Sequence, residues 1–177
     1  SIGALSNGRS MKDKVVNFGC RLNACESEEI EKIVAKFGLS DYVVVNTCAV
    51  TAEAERQVQQ FVRKLHRENP EIGIILTGCA STYNPSEYEA IDGVVAVISN
   101  DDKLNHDQYA KFAKGDFCQN DEIVLKPIDR QPKVRQFVQI QNGCDNFCTY
   151  CIVRQTRGQS VSFSKDEILA QIRQKID

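Results

Sequence analysis

The sequence predicts an α/β fold, with a parallel-sheet domain followed by the start of a second βα unit. Short apolar runs that suit buried strands alternate with amphipathic stretches of helical period, which is the pattern of βαβ units. From Val134 the pattern begins again with an alternating run, a cysteine-rich loop and one amphipathic helix. One strand and one helix cannot enclose a core, so this second unit is expected to be the truncated opening of a (β/α) barrel.

The first strand and helix are predicted between residues 14 and 38. Lys14 to Gly19 form a short apolar run that suits a buried strand. Asn23 or Ser27 can cap the helix that follows, and Gly38 can end it. The apolar face of this helix is predicted to consist of Ile30, Ile33, Val34 and Phe37.

The next two strands follow the same plan. Asp41 to Asn46 is rich in β-branched residues and predicts the second strand. Thr51 opens a second helix that ends at Asn69-Pro70, and Gly73 to Thr77 is the third strand. The inward face of the second helix is predicted to consist of Ala54, Val58, Phe61, Val62 and Leu65.

A fourth strand, Val94 to Ile98, is predicted between two further helices. Asn84-Pro85 suits a helix start, and Asn100 is predicted to cap a helix that runs to Gly115. We therefore expect a disordered extension at residues 1–13, a first domain at 14–115, a linker at 116–133 and the incomplete second domain at 134–177. The last helix begins with a capping box from Ser164 to Glu167 and should turn inward Ile168, Leu169, Ile172 and Ile176.

A cysteine follows each of the first three predicted strands. Cys20, Cys48 and Cys79 are separated by 28 and 31 residues, close to the length of one βαβ unit. The carboxyl ends of parallel strands lie at one edge of a sheet, where open α/β sheets bind their ligands. The spacing favours a metal site at that edge, while buried structural cysteines remain the alternative.

The loop from Asn142 to Gly158 carries a second set of three cysteines. Cys144, Cys148 and Cys151 form a C-x3-C-x2-C array that can surround one metal centre. A closed zinc or iron-sulfur site uses four protein ligands, so three cysteines leave one position open for another molecule. The competing interpretations are structural thiols without metal and a zinc site. Zinc would need a nearby fourth ligand, and neither His66 nor His106 lies near in sequence.

Composition places the chain among globular proteins of a reducing compartment. With 42% hydrophobic and 26% charged residues it can form a core, and no apolar run approaches the length of a membrane span. The eight cysteines without an export signal favour metal ligands in the cytoplasm over disulfides. The net charge is -2, yet the part from Lys126 onward is basic, which suits an approaching anion such as a phosphate backbone or equally a solvated surface.

Several motifs together resemble the methylthiotransferase family of radical S-adenosylmethionine (SAM) enzymes. They are NFGCRLNACESEEI, VVVNTCAVTAEAERQV, ILTGCA, SNDDKL and VQIQNGCDNFCTYCIVRQTRG. The resemblance covers nearly all of Lys14 to Asp177, and six cysteines stand in register. It implies the amino-terminal α/β domain of that family, followed by the start of a radical SAM (β/α) partial barrel. The NTCAVT form is most similar to the branch that modifies N6-threonylcarbamoyladenosine in tRNA.

The resemblance implies methylthiolation of C2 of that nucleoside at tRNA position 37, in the cytoplasm, with SAM and two 4Fe-4S clusters. One cluster would be held by Cys144, Cys148 and Cys151 and would bind SAM, with Tyr150 beside the SAM adenine. The other would be held by Cys20, Cys48 and Cys79 and would present sulfur. Arg154 and Arg157 are candidates for anion contacts, and a solvated loop face is the alternative interpretation of both. Expected partners are tRNA, an electron donor such as a flavodoxin or ferredoxin, and a sulfur donor of unknown identity, with no membrane.

Some residues depart from the family pattern. Cys25 and Cys118 belong to neither set and are interpreted as thiols outside the two metal sites, and Val161 stands where related sequences carry a basic residue. The resemblance also implies a glycine-rich SAM segment and a carboxyl-terminal RNA-binding domain, which the 177 residues do not include, and we therefore expect these residues alone to be insufficient for activity. The rival hypotheses are an iron-sulfur scaffold or electron-transfer protein, a zinc-stabilised binding module, and a methylthiotransferase for isopentenyl-adenosine tRNA or a ribosomal protein.

Overall fold

A four-stranded parallel sheet forms the centre of the first domain. The computed structural model describes residues 14–49, 51–113 and 137–176. The sheet consists of Val15–Asn17 (β1), Tyr42–Thr47 (β2), Gly73–Gly78 (β3) and Val94–Ile98 (β4), paired in that order. Every pairing is parallel, so the predicted parallel α/β architecture is confirmed.

Five helices accompany the sheet in residues 14–49 and 51–113. They are Arg21–Lys36 (α1), Ala52–Glu68 (α2), Cys79–Tyr83 (α3), Pro85–Glu89 (α4) and His106–Ala110 (α5). Thr51 caps α2 as predicted, since its side chain accepts a hydrogen bond from the amide of Ala54. The short helix α3 was not predicted, because no capping residue or apolar period announces it in the sequence.

Two predicted helix caps are wrong. The cap of α1 is Cys20, and Asn23 and Ser27 lie within the helix with buried side chains. The cap of α5 is Asn105, whereas the side chain of Asn100 is buried at the end of the sheet. These amides make tertiary hydrogen bonds instead, and tertiary context overrides the local preference of Asn and Ser for helix starts.

The core lies on both faces of the sheet because alternate residues of each strand point to opposite sides. Val43, Val45, Ile74 and Leu76 pack with the apolar face of α2, whose buried residues are Val58, Val62 and Leu65. On the other face, Val44 and Ile75 pack with α1 through Ile30, Ile33 and Val34. Helices on both faces explain why the strands are almost uniformly apolar.

The segment 137–176 is small and mostly exposed. It contains two short antiparallel strands, Gln141–Asn142 (β5) and Val161–Ser162 (β6), and the helices Val153–Arg157 (α6) and Lys165–Ile176 (α7). The strand predicted for Val134 to Ile140 is wrong for residues 137–140, which are irregular, and residues 134–136 lie outside the described part. The predicted linker at 116–133, Cys118 and the extension at 1–13 also lie outside it.

The capping box of α7 is confirmed, but its predicted inward face is not. The Ser164 amide donates to Glu167 Oε2 over 2.7 Å, and the Glu167 amide donates to Ser164 Oγ over 3.3 Å. Leu169 and Ile176 are exposed, and no residue of α7 is buried. None of the helices in the described residues is long and apolar enough to cross a membrane.

Candidate functional site

The first three predicted ligands lie at one edge of the sheet. Cys48 directly follows β2, Cys79 directly follows β3, and Cys20 lies three residues past the end of β1. Because β1, β2 and β3 are adjacent and parallel, their carboxyl ends share this edge. Cys48 and Cys79 are buried, whereas Cys20 is exposed at the start of α1. The three thiols therefore lie along adjacent strand ends, and their convergence on one metal ion stays a prediction.

Gly78 allows the end of β3, just before Cys79, to lie close to the end of β2. Its φ of +100° lies outside the range that other residues readily adopt, and a Cβ built on it would lie 2.3 Å from the backbone oxygen of Thr47. A side chain at this position would therefore collide with the end of β2. The glycine lets β3 turn directly into α3, which brings Cys79 close against the neighbouring strand end.

Buried amides join the strand ends beside the cysteines. The side-chain nitrogen of Asn23 donates to Asn46 Oδ1 over 3.1 Å and to the Thr47 backbone oxygen over 2.8 Å. Asn46 in turn donates to Ser27 Oγ over 3.1 Å. The Cys20 thiol lies 3.6 Å from Asn23 Oδ1. Because buried polar groups require partners, this network fixes the start of α1 against β2.

The second set of cysteines lies in a loop closed by β5 and β6. The Cys144 amide donates to the Gly158 oxygen over 3.2 Å, and the Cys151 amide donates to the Cys148 oxygen over 3.1 Å. Cys144 and Cys151 are half-buried and Cys148 is exposed. The loop thus makes a tight turn between Cys148 and Cys151.

Two aromatic side chains of this loop stand in solvent. Phe147 is 79% exposed and Tyr150, the predicted neighbour of the SAM adenine, is 90% exposed. The guanidinium of Arg154 lies 5.0 Å from the centre of the Phe147 ring, and its Nη1 lies 4.0 Å from Asp145 Oδ1. Large exposed rings beside a cation form a surface suited to a planar, partly anionic ligand.

Arg157 binds the cysteine loop to the first domain. Its guanidinium forms two hydrogen bonds with the carboxylate of Glu26, of 2.7 and 3.0 Å. It also donates to Asn23 Oδ1 over 2.6 Å and to Asn142 Oδ1 over 2.9 Å. Of the two interpretations of Arg157 from sequence, a solvated loop face is wrong, and the anion that it contacts is Glu26 of the same chain.

Asn100 makes a second link between the loop and the sheet edge. Its Nδ2 donates to the Thr156 backbone oxygen over 2.6 Å and lies 3.6 Å from the Cys79 sulfur. Its Oδ1 accepts a hydrogen bond of 2.8 Å from Lys103. The loop with the second cysteine set is therefore attached beside Cys79, at the same edge as the first set.

Sequence reasoning missed Glu26 and Lys103. Glu26 precedes Ile30 by four residues and Ile33 by seven, so the helical period alone places its carboxylate on the buried face of α1. A charged residue at such a position is the signal that could have found it, because buried carboxylates require partners. The partners themselves, 131 residues away in the case of Arg157, leave no local trace.

Burial and mutual charge set the ionisation of these groups. Burial lowers the pKa of Lys103, and the nearby Arg157 charge adds to this effect, while Glu26 opposes it. Burial would also lower the pKa of Arg157, but the hydrogen bonds and charge of Glu26, together with Cys79, raise it above the ordinary value. Arg157 therefore remains a fixed cation beside the strand-end cysteines.

The donor chemistry of the two sets fits sulfur-ligated metal centres. The six candidate ligands are thiols without disulfide bonds, and Asn100 directs an N–H toward the Cys79 sulfur, as is usual around thiolate ligands. In residues 14–49, 51–113 and 137–176, however, no three His, Cys, Asp or Glu side chains are grouped so that they hold a metal ion as placed. The metal assignment of both sets stays a prediction.

Fold and site together define a class of α/β proteins that carry two cysteine sets at one edge of a parallel sheet. A family model described as "Uncharacterized protein family UPF0004" matches residues 12–99. The threonylcarbamoyladenosine tRNA methylthiotransferase MtaB of Rickettsia prowazekii is 39% identical over 169 residues, covering 93% of this chain and 40% of that relative. The protein of the same name from Chlamydia pneumoniae is 32% identical over 174 residues, with coverages of 93% and 40%.

A relative that is named for a different nucleoside is also similar to this chain. The tRNA-2-methylthio-N(6)-dimethylallyladenosine synthase of Carboxydothermus hydrogenoformans is 30% identical over 188 residues, covering 92% of this chain and 42% of that relative. The chain belongs to the methylthiotransferase family, and relatives named MtaB are among the proteins to which it is similar. It spans about two fifths of the length of these curated relatives.

Proposed function

We propose that this chain forms the amino-terminal, cysteine-bearing part of a tRNA methylthiotransferase that adds a methylthio group to C2 of N6-threonylcarbamoyladenosine at position 37. The observation that carries the proposal is the shared edge. Cys20, Cys48 and Cys79 follow three adjacent parallel strands, and Asn100 connects Cys79 with the loop that bears the second set. Two cysteine sets in parts of the chain that are joined at this edge suit a reaction that combines two cofactor centres on one substrate.

In the proposed function Cys144, Cys148 and Cys151 hold one 4Fe-4S cluster, and Cys20, Cys48 and Cys79 hold the other. When bound, these groups with SAM supply the radical and the sulfur. Three protein ligands each leave a position for a small molecule, which a set of four cysteines would not. Both sets therefore offer ligand number and chemistry suited to reaction rather than to electron storage alone.

Tyr150 and Arg154 form the proposed ligand-facing side of the loop. Tyr150 has an almost fully exposed ring on which the SAM adenine can stack. Arg154 keeps a charge beside Phe147 and can contact an anionic group of SAM or of tRNA. Arg157, in contrast, is engaged by Glu26 and serves to hold the loop.

N6-threonylcarbamoyladenosine is the proposed substrate because the more similar relatives are named for this nucleoside. The relative from Rickettsia prowazekii is named for this nucleoside and is 39% identical to the chain. The dimethylallyladenosine synthase from Carboxydothermus hydrogenoformans is 30% identical. Nucleoside mass spectrometry of tRNA from cells that lack the gene tests this assignment. Loss of 2-methylthio-threonylcarbamoyladenosine is expected, and loss of the dimethylallyl nucleoside instead would overturn the substrate assignment.

Anaerobic reconstitution with iron and sulfide tests the two centres in the 177-residue chain. The expected result is two clusters per chain. Joint replacement of Cys144, Cys148 and Cys151 by Ala should leave one cluster, and joint replacement of Cys20, Cys48 and Cys79 should leave the other. Cys25→Ala is the matched control and should leave both.

Three results would contradict the proposal. Zinc without iron would indicate a zinc-stabilised module. A single cluster that needs all six cysteines would show that the two sets are not independent sites. The third result is a parent chain that binds only one cluster and keeps it after Cys144, Cys148 and Cys151 are replaced. It would favour an iron-sulfur scaffold.

A further inference from the structure

A buried group of three charges lies where the loop meets the first domain. Glu26 on α1, Lys103 after β4 and Arg157 on α6 form this group, here called the Glu26 cluster. Lys103 Nζ lies 2.6 Å from Glu26 Oε2, and Arg157 Nη1 lies 2.7 Å from Glu26 Oε1. The side chains of Glu26 and Lys103 are 2% exposed and that of Arg157 is 4% exposed. All three charges are therefore removed from bulk water.

The composition of the Glu26 cluster is unusual for a purely structural ion pair. One carboxylate faces two cations, so the three side chains together carry an excess positive charge. Burying charges costs free energy that an ion pair recovers only with good geometry, and apolar residues can replace such pairs without loss of stability. An uneven set of charges suits a place where further negative charge, such as thiolates and sulfide, is expected nearby.

The Glu26 cluster is connected to two of the strand-end cysteines. From Lys103, the connection passes through Asn100, which accepts from Lys103 over 2.8 Å and directs its Nδ2 to the Cys79 sulfur at 3.6 Å. From Arg157, it passes through Asn23, whose Oδ1 accepts from Arg157 over 2.6 Å and lies 3.6 Å from the Cys20 sulfur. Lys103 thus orients the N–H of Asn100 toward Cys79, whereas Arg157 donates to the same Asn23 oxygen that accepts from the Cys20 thiol.

The same cluster is the central contact between segment 137–176 and helix α1. Around it, α1 makes flanking contacts at helical spacing. The guanidinium of Arg21 lies 5.5 Å from the Phe137 ring, the Cys25 thiol lies 3.5 Å from the Phe137 oxygen, and Glu28 lies 3.0 Å from Lys175. These flanking contacts are partly exposed, while Thr156 and Arg157 are the buried residues of the segment.

We propose that Glu26, Lys103 and Arg157 are positioning residues that fix the loop with the second cysteine set, and that Lys103 also orients Asn100 so that its N–H faces the sulfur of Cys79. This inference rests on the proposed function for the role of Cys79 as a ligand. The attachment of the loop by the cluster does not depend on metal. The two parts of the inference therefore have separate tests.

Hydrogen exchange in the metal-free full chain tests the attachment. Arg157→Met removes the guanidinium and leaves the pair of Glu26 with Lys103, which keeps the first domain balanced in charge. We expect amides in residues 153–162 to exchange roughly tenfold faster while those of β2 and β3 are unchanged, because the segment loses its buried anchor. Gln155→Met, on the same helix but with an exposed side chain outside the cluster, is the matched control and should leave these rates unchanged.

Arg157→Lys separates charge from geometry. Lysine keeps the cation but cannot form the two parallel hydrogen bonds of a guanidinium with a carboxylate. An exchange rate between those of the parent and Arg157→Met supports the proposal. Unchanged exchange in Arg157→Met, or equally faster exchange in β3, would overturn the attachment.

The positioning of sulfur is tested in a chain that carries Ala at Cys144, Cys148 and Cys151, so that only the strand-end cysteines can bind iron. Lys103→Met in this background should lower the iron bound per chain or shift the electron paramagnetic resonance signal of the reduced cluster. The circular dichroism spectrum should be unchanged. Lys32→Met, which removes a lysine from a solvent-exposed pair with Glu29, is the control.

A merely structural role predicts another outcome. Lys103→Met would then reduce only the resistance to heat, with iron content and resonance signal as in the parent, and this result would overturn the positioning of sulfur. If the parent background binds no iron, the proposed function fails at this site, whereas the exchange experiment on Arg157 still decides whether the cluster attaches the loop.

Discussion

At the scale of single residues, the candidate site depends on residues that are not themselves candidate metal ligands. Gly78 has no side chain, yet the close contact of β3 with the end of β2 requires it, since an added Cβ would meet backbone atoms of Thr47. Asn23 and Asn46 are likewise buried inside the first domain and hold the strand ends together through side-chain hydrogen bonds. These residues determine where Cys20 and Cys79 can lie.

Gly78→Ala should strongly destabilise the first domain. The positive φ costs about 1–3 kcal/mol for a residue with a side chain, and the collision with backbone adds roughly as much. We expect the free energy of unfolding, measured by urea denaturation, to fall by about 3 kcal/mol.

Gly158→Ala is the control for this substitution. Gly158 also has a positive φ, of 68°, but nothing lies within 4 Å of an added Cβ. It should therefore cost only the backbone strain, about 1–3 kcal/mol, without the further cost of a collision. Equal losses for the two substitutions would contradict the role given to the contact with Thr47.

At the scale of elements, helix ends show where local signals are sufficient. Thr51 and the box of Ser164 and Glu167 cap their helices as the sequence predicts, because the hydrogen bonds involved span three residues. Asn23, Ser27 and Asn100 have the same local preference but are used in tertiary contacts. The sequence alone offers no means to distinguish these two uses.

Glu167 gives the start of α7 a dependence on pH. Hydrogen bonds from the side chain and the backbone amide of Ser164 lower the pKa of Glu167 from its ordinary value of 4.5. A carboxyl whose pKa is lowered in the folded state stabilises it above the ordinary pKa, and this contribution is lost as pH falls through the folded value. We therefore expect the helical Cα chemical shifts of residues 165–170 to decrease as pH falls below 4.5.

Glu167→Gln isolates this effect. Glutamine also serves in a capping box but does not titrate, so the first turn of α7 should keep its helical shifts in acid. The comparison cancels the titration of other carboxyl groups. A parallel loss of helical shifts in the parent and in Glu167→Gln would assign the pH dependence to groups other than Glu167.

At the scale of the whole molecule, the two parts differ in how they are stabilised. The strands β2 and β3 have neighbours on both sides and helices on both faces, with buried residues from Val43 to Thr47 and from Ile74 to Gly78. The helix α7 has no buried residue, and Thr156 and Arg157 are the buried residues of segment 137–176. Burial of apolar surface therefore stabilises the first domain far more than the segment.

Hydrogen exchange of the unmodified chain should show this difference directly. Amides of β2 and β3 are expected to exchange only on global unfolding, whereas those of α7 should exchange through local opening at lower denaturant concentration. Measurement at several urea concentrations distinguishes the two modes. Protection of α7 equal to that of β3 would mean that the two parts unfold together.

Much of this architecture follows from the sequence, and the remainder has a common physical cause. The parallel order of the strands and the placement of Cys20, Cys48 and Cys79 at one edge follow from period and spacing, which are local quantities. The Glu26 cluster depends on contacts between residues up to 131 positions apart. Such contacts are determined by the packed structure, and the sequence shows only the anomaly of a glutamate on an apolar helix face.

The order of Glu26, Lys103 and Arg157 along the chain has a consequence for synthesis on the ribosome. Glu26 and Lys103 both belong to the first domain and emerge before Arg157, so the nascent domain can bury one anion with one cation. Arg157 arrives later and adds its guanidinium to a carboxylate that is already neutralised. The early part of the polypeptide can thus complete its own folding with balanced charge while the cysteine loop is still being translated.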